Sequence, residues 1–261
     1  MEVIIQPDTG AATRLAARLI ARELRINPRL VLGLATGRTM ESVYAYLVAM
    51  HQQEKLDFSR CRTFNLDEYV GLPPDDKHSY RHYMNFHLFN QVNIKLKNTR
   101  LPNGMAQDLA AECRRYERAI ARASGIDFQL LGIGQDGHIG FNEPLSALLS
   151  RTREKALSPA TVAQNGPLFG DPARMPRRAL TMGVGTILES KRCVLLAVGK
   201  SKARIIAQAV EGPITAMISA SALQLHPHCT IIVDEAAADQ LQGTDYYRWI
   251  FSNDPEWAEF R

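Results

Sequence analysis

The chain has 261 residues, of which 46% are hydrophobic, and a formal net charge of +4. This length and composition are typical of a globular protein with one large domain or two small ones. The charge is mild, and Lys and Arg alternate with Asp and Glu, which argues against a dedicated nucleic-acid-binding protein.

Helix and strand patterns alternate along the chain. Residues 11–24 predict an amphipathic helix whose basic face, Arg14, Arg18 and Arg22, is exposed to solvent. The apolar run 30–35 predicts a strand buried on both faces of a parallel sheet. Further strands are predicted at 128–134, 194–199 and 230–234, and residues 61–69 predict a strand that runs into a polar loop. Further helices are predicted at 40–50, 79–89 with Ser79 as N-cap, 106–123 and 201–210.

This alternation predicts an α/β protein: a single-domain Rossmann-like fold over residues 1–261, with a mainly parallel central sheet flanked by helices on both faces. Residues 151–178 contain several Arg, Pro and Gly and little periodicity, so we expect a mobile loop or lid there. The loops 36–39, 65–71, 134–143 and 199–202 each follow a strand. We therefore expect them at one sheet edge, where ligands bind in such folds.

Two of these loops are suited to a phosphate group. Thr36, Gly37, Arg38 and Thr39 lie between a strand and a helix, so free backbone N–H groups, two hydroxyls and a positive helix end are available. A plain turn with helix caps would have the same sequence pattern. Lys200 and Lys202 occupy a second strand-to-helix turn, where a cation is unfavourable unless an anion is present. The two loops together favour phosphate binding.

Acidic residues and a histidine follow two other strands. In FNLDEYVGLP, strand alternation points Asp67 and Glu68 to opposite sides, so only one of them is expected to face a cleft and act as a base. In GIGQDGHIGFNEP, glycines allow close backbone approach to a ligand around Asp136, His138 and Glu143. An imidazole with orienting carboxylates is suited to proton transfer.

Other chemistry has weaker support. Cys61, Cys113, Cys193 and Cys229 lack the spacing of a zinc site or disulfide framework, and buried free thiols are expected. His78 and His82 have helical metal-ligand spacing but no HExxH pattern, and we predict no metal site and no cofactor. No signal peptide or membrane span is visible, and a cytoplasmic protein is expected.

The segments GLATGRT, TFNLDEYVGLP, LLGIGQDGHIGFNEP, SRTR, ALTMGVGTILES, GKSKA and LQLHP, in this order, closely resemble the glucosamine-6-phosphate deaminase family over about residues 1–235. The resemblance implies conversion of glucosamine 6-phosphate and water to fructose 6-phosphate and ammonia, in amino sugar catabolism, without metal or organic cofactor. The enzyme class we predict is a hydrolase acting on an amino sugar phosphate.

The resemblance also implies residue roles. The residue matching His138 opens the pyranose ring, and those matching Asp136 and Glu143 orient it. The residue matching Asp67 moves a proton from C2 towards C1, and Thr36 to Thr39 with Lys202 hold the phosphate.

The family pattern is incomplete in three places. Arg38 stands where Gly or Ser is common, and Gln135 where Asn is frequent. The arginine that many members carry at about Gly166 is absent, and Arg174 or Arg177 would have to replace it.

Some members are hexamers activated by N-acetylglucosamine 6-phosphate. Ser146, Arg153 and Lys155 match that allosteric site, whereas Ala147 replaces a second serine. A homo-oligomer and activation by this allosteric partner therefore both stay open. The residues after Asp234 are divergent and do not indicate the oligomeric state.

Three alternatives remain. A 6-phosphogluconolactonase has a related histidine loop, but it continues into an ASLFP-like segment, whereas this chain reads IGFNEP. A non-catalytic sugar-phosphate sensor would keep the fold without turnover. A deaminase of another amino sugar phosphate, such as galactosamine 6-phosphate, would use the same chemistry, and the epimer depends on one hydroxyl contact that the sequence does not reveal.

Overall fold

The computed structural model describes residues 1–261. Its main sheet has seven parallel strands in the order β1-β10-β9-β6-β2-β3-β5. Their bounds are β1 Glu2–Gln6, β2 Val31–Leu34, β3 Arg62–Asn65, β5 Thr99–Arg100, β6 Phe128–Leu131, β9 Arg192–Ala197 and β10 Cys229–Asp234. Every residue of β2, β6 and β10 is buried, so both faces of the sheet are covered, as predicted.

The helices come between the strands or after the last one. They are α1 Thr9–Ile26, α2 Arg38–Glu54, α3 Tyr80–Met84, α4 Leu109–Arg122, α5 Pro159–Asn165, α6 Val184–Leu188, α7 Ala203–Val210, α8 Glu235–Ala238 and α9 Thr244–Asn253. Ser79 accepts a hydrogen bond from the His82 N–H and so caps α3. The predicted helix 79–89 is only partly α-helical, because Asn85–Phe89 is a π-helical turn. No helix is long and apolar enough to cross a membrane.

A second, three-stranded antiparallel sheet was not predicted. Its strands are β4 Asp67–Tyr69, β7 Arg153–Ala156 and β8 Arg178–Thr181, in the order β4-β8-β7. The expectation of a loop over 151–178 is therefore wrong at its ends, which are strands, and in its middle, which contains α5 and two 3-10 turns. These short elements are separated by prolines and leave no periodicity to read. The closing movement of a lid stays a prediction.

The face of α1 that was expected in solvent binds the end of the chain. Arg18 donates to the carbonyl oxygens of Glu259 and Phe260, and the Arg22 guanidinium lies 3.0 Å from the Glu259 carboxylate. Trp257 is fully buried beside Phe260. The local pattern of α1 gave no sign of this, because the contact joins residues about 240 positions apart.

The strand order reverses between β2 and β6. From β2 the chain moves outward to β3 and β5, whereas from β6 it moves to β9 and β10. In open parallel sheets a ligand-binding crevice forms outside the carboxyl ends of the strands at such a point. The loops after β2 and β6 are those predicted to carry the phosphate and the proton-transfer residues.

Candidate active site

Three loops meet at this switch point. The methyl of Met40, in the first turn of α2, lies 3.4 Å from where a side chain on Gly132 would begin. The Lys202 ammonium donates to the Ile133 carbonyl oxygen at 2.7 Å. The start of α2, directly after the loop 36–39, and the loop 199–202 thus both contact the segment after β6, and these loops were predicted to lie at one sheet edge.

The two predicted phosphate loops have similar backbones. Gly37 (φ 115°) and Gly199 (φ 86°) are left-handed, and each precedes a helical turn. Nothing lies within 4 Å of the position that a Cβ would take on either glycine, so both loops are open above the backbone. Thr36 and Thr39 are half-buried, whereas Arg38 is exposed and has no side-chain partner. An anion could approach both loops.

Asp234, at the end of β10, holds the loop 199–202 in place. Its carboxylate accepts from the Gly199 N–H at 2.9 Å and from the Thr9 hydroxyl at 2.7 Å. Lys202 is half-buried, and burial lowers the pKa of its ammonium. The negative charge of Asp136 acts in the opposite direction but does not outweigh burial. The Lys202 side chain is therefore directed towards the loop after β6 and is not free in solvent.

The predicted cluster on the loop after β6 forms. His138 Nδ1 lies 2.6 Å from Asp136 Oδ1 and 3.7 Å from Glu143 Oε2. Burial favours a neutral Asp136, but its contact with His138 outweighs this and holds the pKa of Asp136 below its ordinary value. Two carboxylates therefore face one ring nitrogen, which fixes the imidazole and stabilises its cation.

Gly134 has a steric role in this cluster. A Cβ on this residue would lie 2.3 Å from His138 Cε1, so the imidazole occupies the space of the missing side chain. Gly134 does not have a positive φ, and its backbone conformation alone does not require glycine. The glycine is therefore explained by the position of the ring.

Asp67 lies beside this loop at the start of β4. The position that a Cβ would take on Gly140 is 3.6 Å from Asp67 Oδ2. The carboxylate therefore lies next to Gly140, which is two residues after His138 in the sequence. No protein group donates a hydrogen bond to the Asp67 carboxylate, which is 6% exposed. Burial, together with the charge of Glu68, raises the pKa of Asp67 to about 8. Asp67 is thus poised to exchange a proton near neutral pH.

Glu68 points away from Asp67, as strand alternation predicted. Its carboxylate accepts from the backbone N–H groups of Tyr69, Tyr80 and Arg81, each at 2.9 Å. Burial raises the pKa of Glu68 to about 7, while these three donors act in the opposite direction. Glu68 therefore holds the start of α3 against β4 and has no free oxygen directed to the site.

Sequence reasoning missed two groups that hold Glu143. Its Oε1 accepts from the Thr161 hydroxyl at 2.7 Å and from the Ser158 N–H at 3.1 Å. These residues lie 15 and 18 positions after Glu143, so spacing along the chain did not connect them. The only local signal was the Ser-Pro-x-Thr pattern that caps α5.

The predicted allosteric residues surround Asn142 and Glu143. The Arg153 guanidinium donates to Asn142 Oδ1 at 2.9 Å, and the Ser146 N–H donates to the Glu143 carbonyl oxygen at 3.0 Å. The Ser146 hydroxyl is buried without a hydrogen-bond partner. Lys155 is half-buried on the same face of β7 as Arg153.

The other sequence-predicted residues lie apart from the cluster. Arg174 and Arg177 are exposed, and neither side chain forms a hydrogen bond or ion pair, so the replacement of the missing lid arginine by one of them stays a prediction. The four cysteines are buried and free, as predicted. His78 lies 3.0 Å from Asp76 and stacks on Phe169.

One group of residues has metal-ligand spacing. The ligand atoms of Asp136, His138 and Glu143 all lie within 4.8 Å of one another. His138 Nδ1 lies 2.6 Å from Asp136 Oδ1, and Glu143 Oε1 accepts from Thr161 and Ser158. Glu143 Oε2 has no hydrogen-bond donor, and the absence of a metal site stays a prediction.

Known proteins are similar to this chain over nearly its whole length. The glucosamine-6-phosphate deaminase of Hahella chejuensis is 48% identical over 252 residues, which are 97% of this chain and 96% of that protein. A solved structure described as a monomeric glucosamine-6-phosphate deaminase of the NagB superfamily has a TM-score of 0.90 and 44% identity, and the match covers 92% of this chain and 100% of that one.

More distant structures share the fold alone. The 6-phosphogluconolactonase of Trypanosoma cruzi has a TM-score of 0.74 at 20% identity, over 92% of this chain and 97% of that one. The relatives at 44–48% identity are named deaminases, which does not support the predicted hydrolase class. Residues 9–231 match the family described as glucosamine-6-phosphate isomerases/6-phosphogluconolactonase, and the chain belongs to this family.

Proposed function

We propose that this protein converts glucosamine 6-phosphate and water to fructose 6-phosphate and ammonia, by aldose–ketose isomerisation with deamination. The observation that carries the proposal is the contact of His138 with two carboxylates, next to the buried carboxyl group of Asp67. The deaminase relatives support this substrate class over the lactonase alternative.

In the proposed reaction, His138 moves a proton between the C1 hydroxyl and the ring oxygen and so opens the pyranose. Asp136 and Glu143 stabilise the imidazolium that forms in this step. Asp67 then moves a proton from C2 towards C1, and water hydrolyses the resulting imine. Each of these steps is a proton transfer or an attack by water, which positioned carboxylates and an imidazole can catalyse.

The phosphate group anchors the flexible open-chain sugar. We assign it to the open backbone of Thr36 to Thr39 and to Lys202, whose ammonium retains two N–H groups beyond its bond to Ile133. Fixing one end of the chain lowers the entropic cost of bringing C1 and C2 to the acid and base groups. Arg38, which has no partner in the structure, is free to add a contact.

The allosteric residues support a second, smaller proposal. The buried, unpartnered hydroxyl of Ser146 and the half-buried Arg153 are suited to a phosphorylated ligand such as N-acetylglucosamine 6-phosphate. Because Arg153 binds the residue before Glu143, such a ligand would act on the cluster through Asn142. Activation at subsaturating substrate, lost in Arg153→Met, is the expected result. An unchanged activity with the ligand would contradict it.

The deciding experiment measures both products. Purified protein is incubated without added metal with glucosamine 6-phosphate and, separately, with galactosamine 6-phosphate, and ammonia and ketose phosphate are assayed together. Equimolar release from the gluco epimer is expected. Release from the galacto epimer alone would keep the mechanism and change the substrate. Tight binding without release would favour the sensor alternative.

A further inference from the structure

The segment 158–169, called here the bridging segment, contacts both halves of the site. At one end, Ser158 and Thr161 bind Glu143 Oε1. At the other, the Asn165 amide donates to the Tyr69 hydroxyl at 3.3 Å, and Tyr69 lies two residues after Asp67 in β4. Phe169 packs edge-on against the Tyr69 ring at 5.6 Å. The bridging segment therefore spans from the histidine cluster to the base.

The two oxygens of Glu143 have different surroundings. Oε1 accepts two hydrogen bonds, both from the bridging segment, whereas Oε2 is buried, has no hydrogen-bond donor and lies 3.7 Å from His138 Nδ1. The side chain is nearly fully buried, at 4% exposure. A buried carboxylate oxygen without a donor is costly, so another interaction must hold it in this orientation. The only side-chain donor that does so is the Thr161 hydroxyl.

We infer that Thr161 is a positioning residue, which holds Glu143 so that its free oxygen faces His138 and thereby makes ring opening depend on the docked bridging segment. This inference rests on the proposed function for its link to ring opening. Thr161 does not act on the sugar itself. Its hydroxyl donates to Glu143 Oε1, and this bond leaves Glu143 Oε2 3.7 Å from His138 Nδ1.

Four titratable groups take part in this arrangement. His138 faces Asp136 and Glu143, and Lys202 acts on Asp136 through its charge. Only Glu143 is bound by the bridging segment, so a change at Thr161 reaches His138 through Glu143 while the Asp136 contact remains. This difference separates a positioning role from a general loss of packing.

The structure supplies a matched control. The Thr186 hydroxyl donates to Glu117 Oε1 at 2.7 Å, which is the same length as the bond from Thr161 to Glu143. Thr186 is also buried, and Glu117 binds Thr152 and Arg151, away from the cluster. Thr186→Val therefore removes the same kind of bond without touching the site.

The test compares Thr161→Val, Thr161→Ser and Thr186→Val with the wild type. For Thr161→Val we expect kcat for glucosamine 6-phosphate to fall at least about tenfold, with KM within about threefold. Thr161→Ser should restore most of the activity because it keeps the hydroxyl. Thr186→Val should lower only the melting temperature.

A second readout needs no turnover. The His138 ring C–H signal, identified among the seven histidines by its loss in His138→Gln, is recorded by NMR without substrate. In Thr161→Val this signal should move, because Glu143 Oε2 is no longer held beside the ring, and in Thr161→Ser and Thr186→Val it should stay in place.

The results distinguish the inferred role of Thr161 from the proposed function. An unchanged His138 signal and an unchanged kcat per folded molecule in Thr161→Val would overturn the inference, as would an equal loss of kcat in Thr186→Val. A moved His138 signal in a protein that releases no ammonia from glucosamine 6-phosphate would instead keep the role of Thr161 and reject the proposed function.

Discussion

Asp67 and Asp136 are two aspartates beside the same loop, but their surroundings favour opposite protonation states. Asp136 lies 2.6 Å from an imidazole nitrogen and has the charge of Lys202 nearby, and its pKa is lowered. Asp67 is buried without a hydrogen-bond donor and has Glu68 as an acidic neighbour, and burial raises its pKa to about 8. Surroundings, more than residue type, thus separate a fixed anion from a group that can exchange a proton.

The first way to test this difference is Asp67→Asn. We expect kcat to fall by about 10³-fold or more, because an amide cannot take the C2 proton. Sugar-phosphate binding should persist, since the phosphate loops are untouched. Near-normal turnover would show that another group is the base. The same change at Asp136 should cost less, because Glu143 still faces His138.

The second test concerns stability, and its sign follows from the raised pKa. Between about pH 4 and pH 8, folded Asp67 keeps a proton that the unfolded chain releases, so rising pH destabilises the fold through this group. Asp67→Asn should remove that dependence. We expect the variant to be more stable than the wild type above pH 8, by on the order of 3 kcal/mol, in urea unfolding across the pH range. Parallel stability curves for the two proteins would mean that Asp67 is not held in a dry site.

The third test addresses the imidazole. His138→Gln should slow turnover of the cyclic substrate by about 10²-fold, because ring opening loses its proton carrier. The open-chain alditol of the substrate should inhibit the variant and the wild type equally, since it needs no ring opening. Equal rates on the cyclic substrate would contradict the assignment.

The smallest expected effect is at Lys202. Lys202→Met removes a cation near Asp136 and, in the proposed function, a phosphate contact. We expect KM to rise about tenfold, with a smaller change in kcat. Because Asp67 has no such cation, its pH dependence should not change in this variant. A larger loss in kcat than in KM would place Lys202 in the chemistry.

The sequence was sufficient for the parallel sheet and for the loops at its edge. Buried strands such as 31–34 are continuous apolar runs, and the glycine-rich loop after residue 131 is unusual enough to indicate chemistry. The opposite directions of Asp67 and Glu68 followed from strand alternation alone.

The parts that escaped prediction depend on distant contacts. β4 has three residues and exists only because β8 pairs with it, more than 100 positions later. Arg18 was expected in solvent because its carbonyl partners lie in the last residues. Thr161 fell within the predicted loop or lid, and its hydroxyl meets Glu143 only in the folded chain. Local patterns do not carry such pairings.

The position of β1 has a consequence for synthesis. Its only partner in the sheet is β10, and the pairing joins Glu2 to Thr230 and Gln6 to Asp234. The apolar residues Val3, Ile4 and Ile5 therefore stay unpaired after they leave the ribosome until more than 220 further residues have been translated. Throughout that interval the nascent chain exposes a short apolar segment without its strand partner, and chaperones bind such exposed apolar segments.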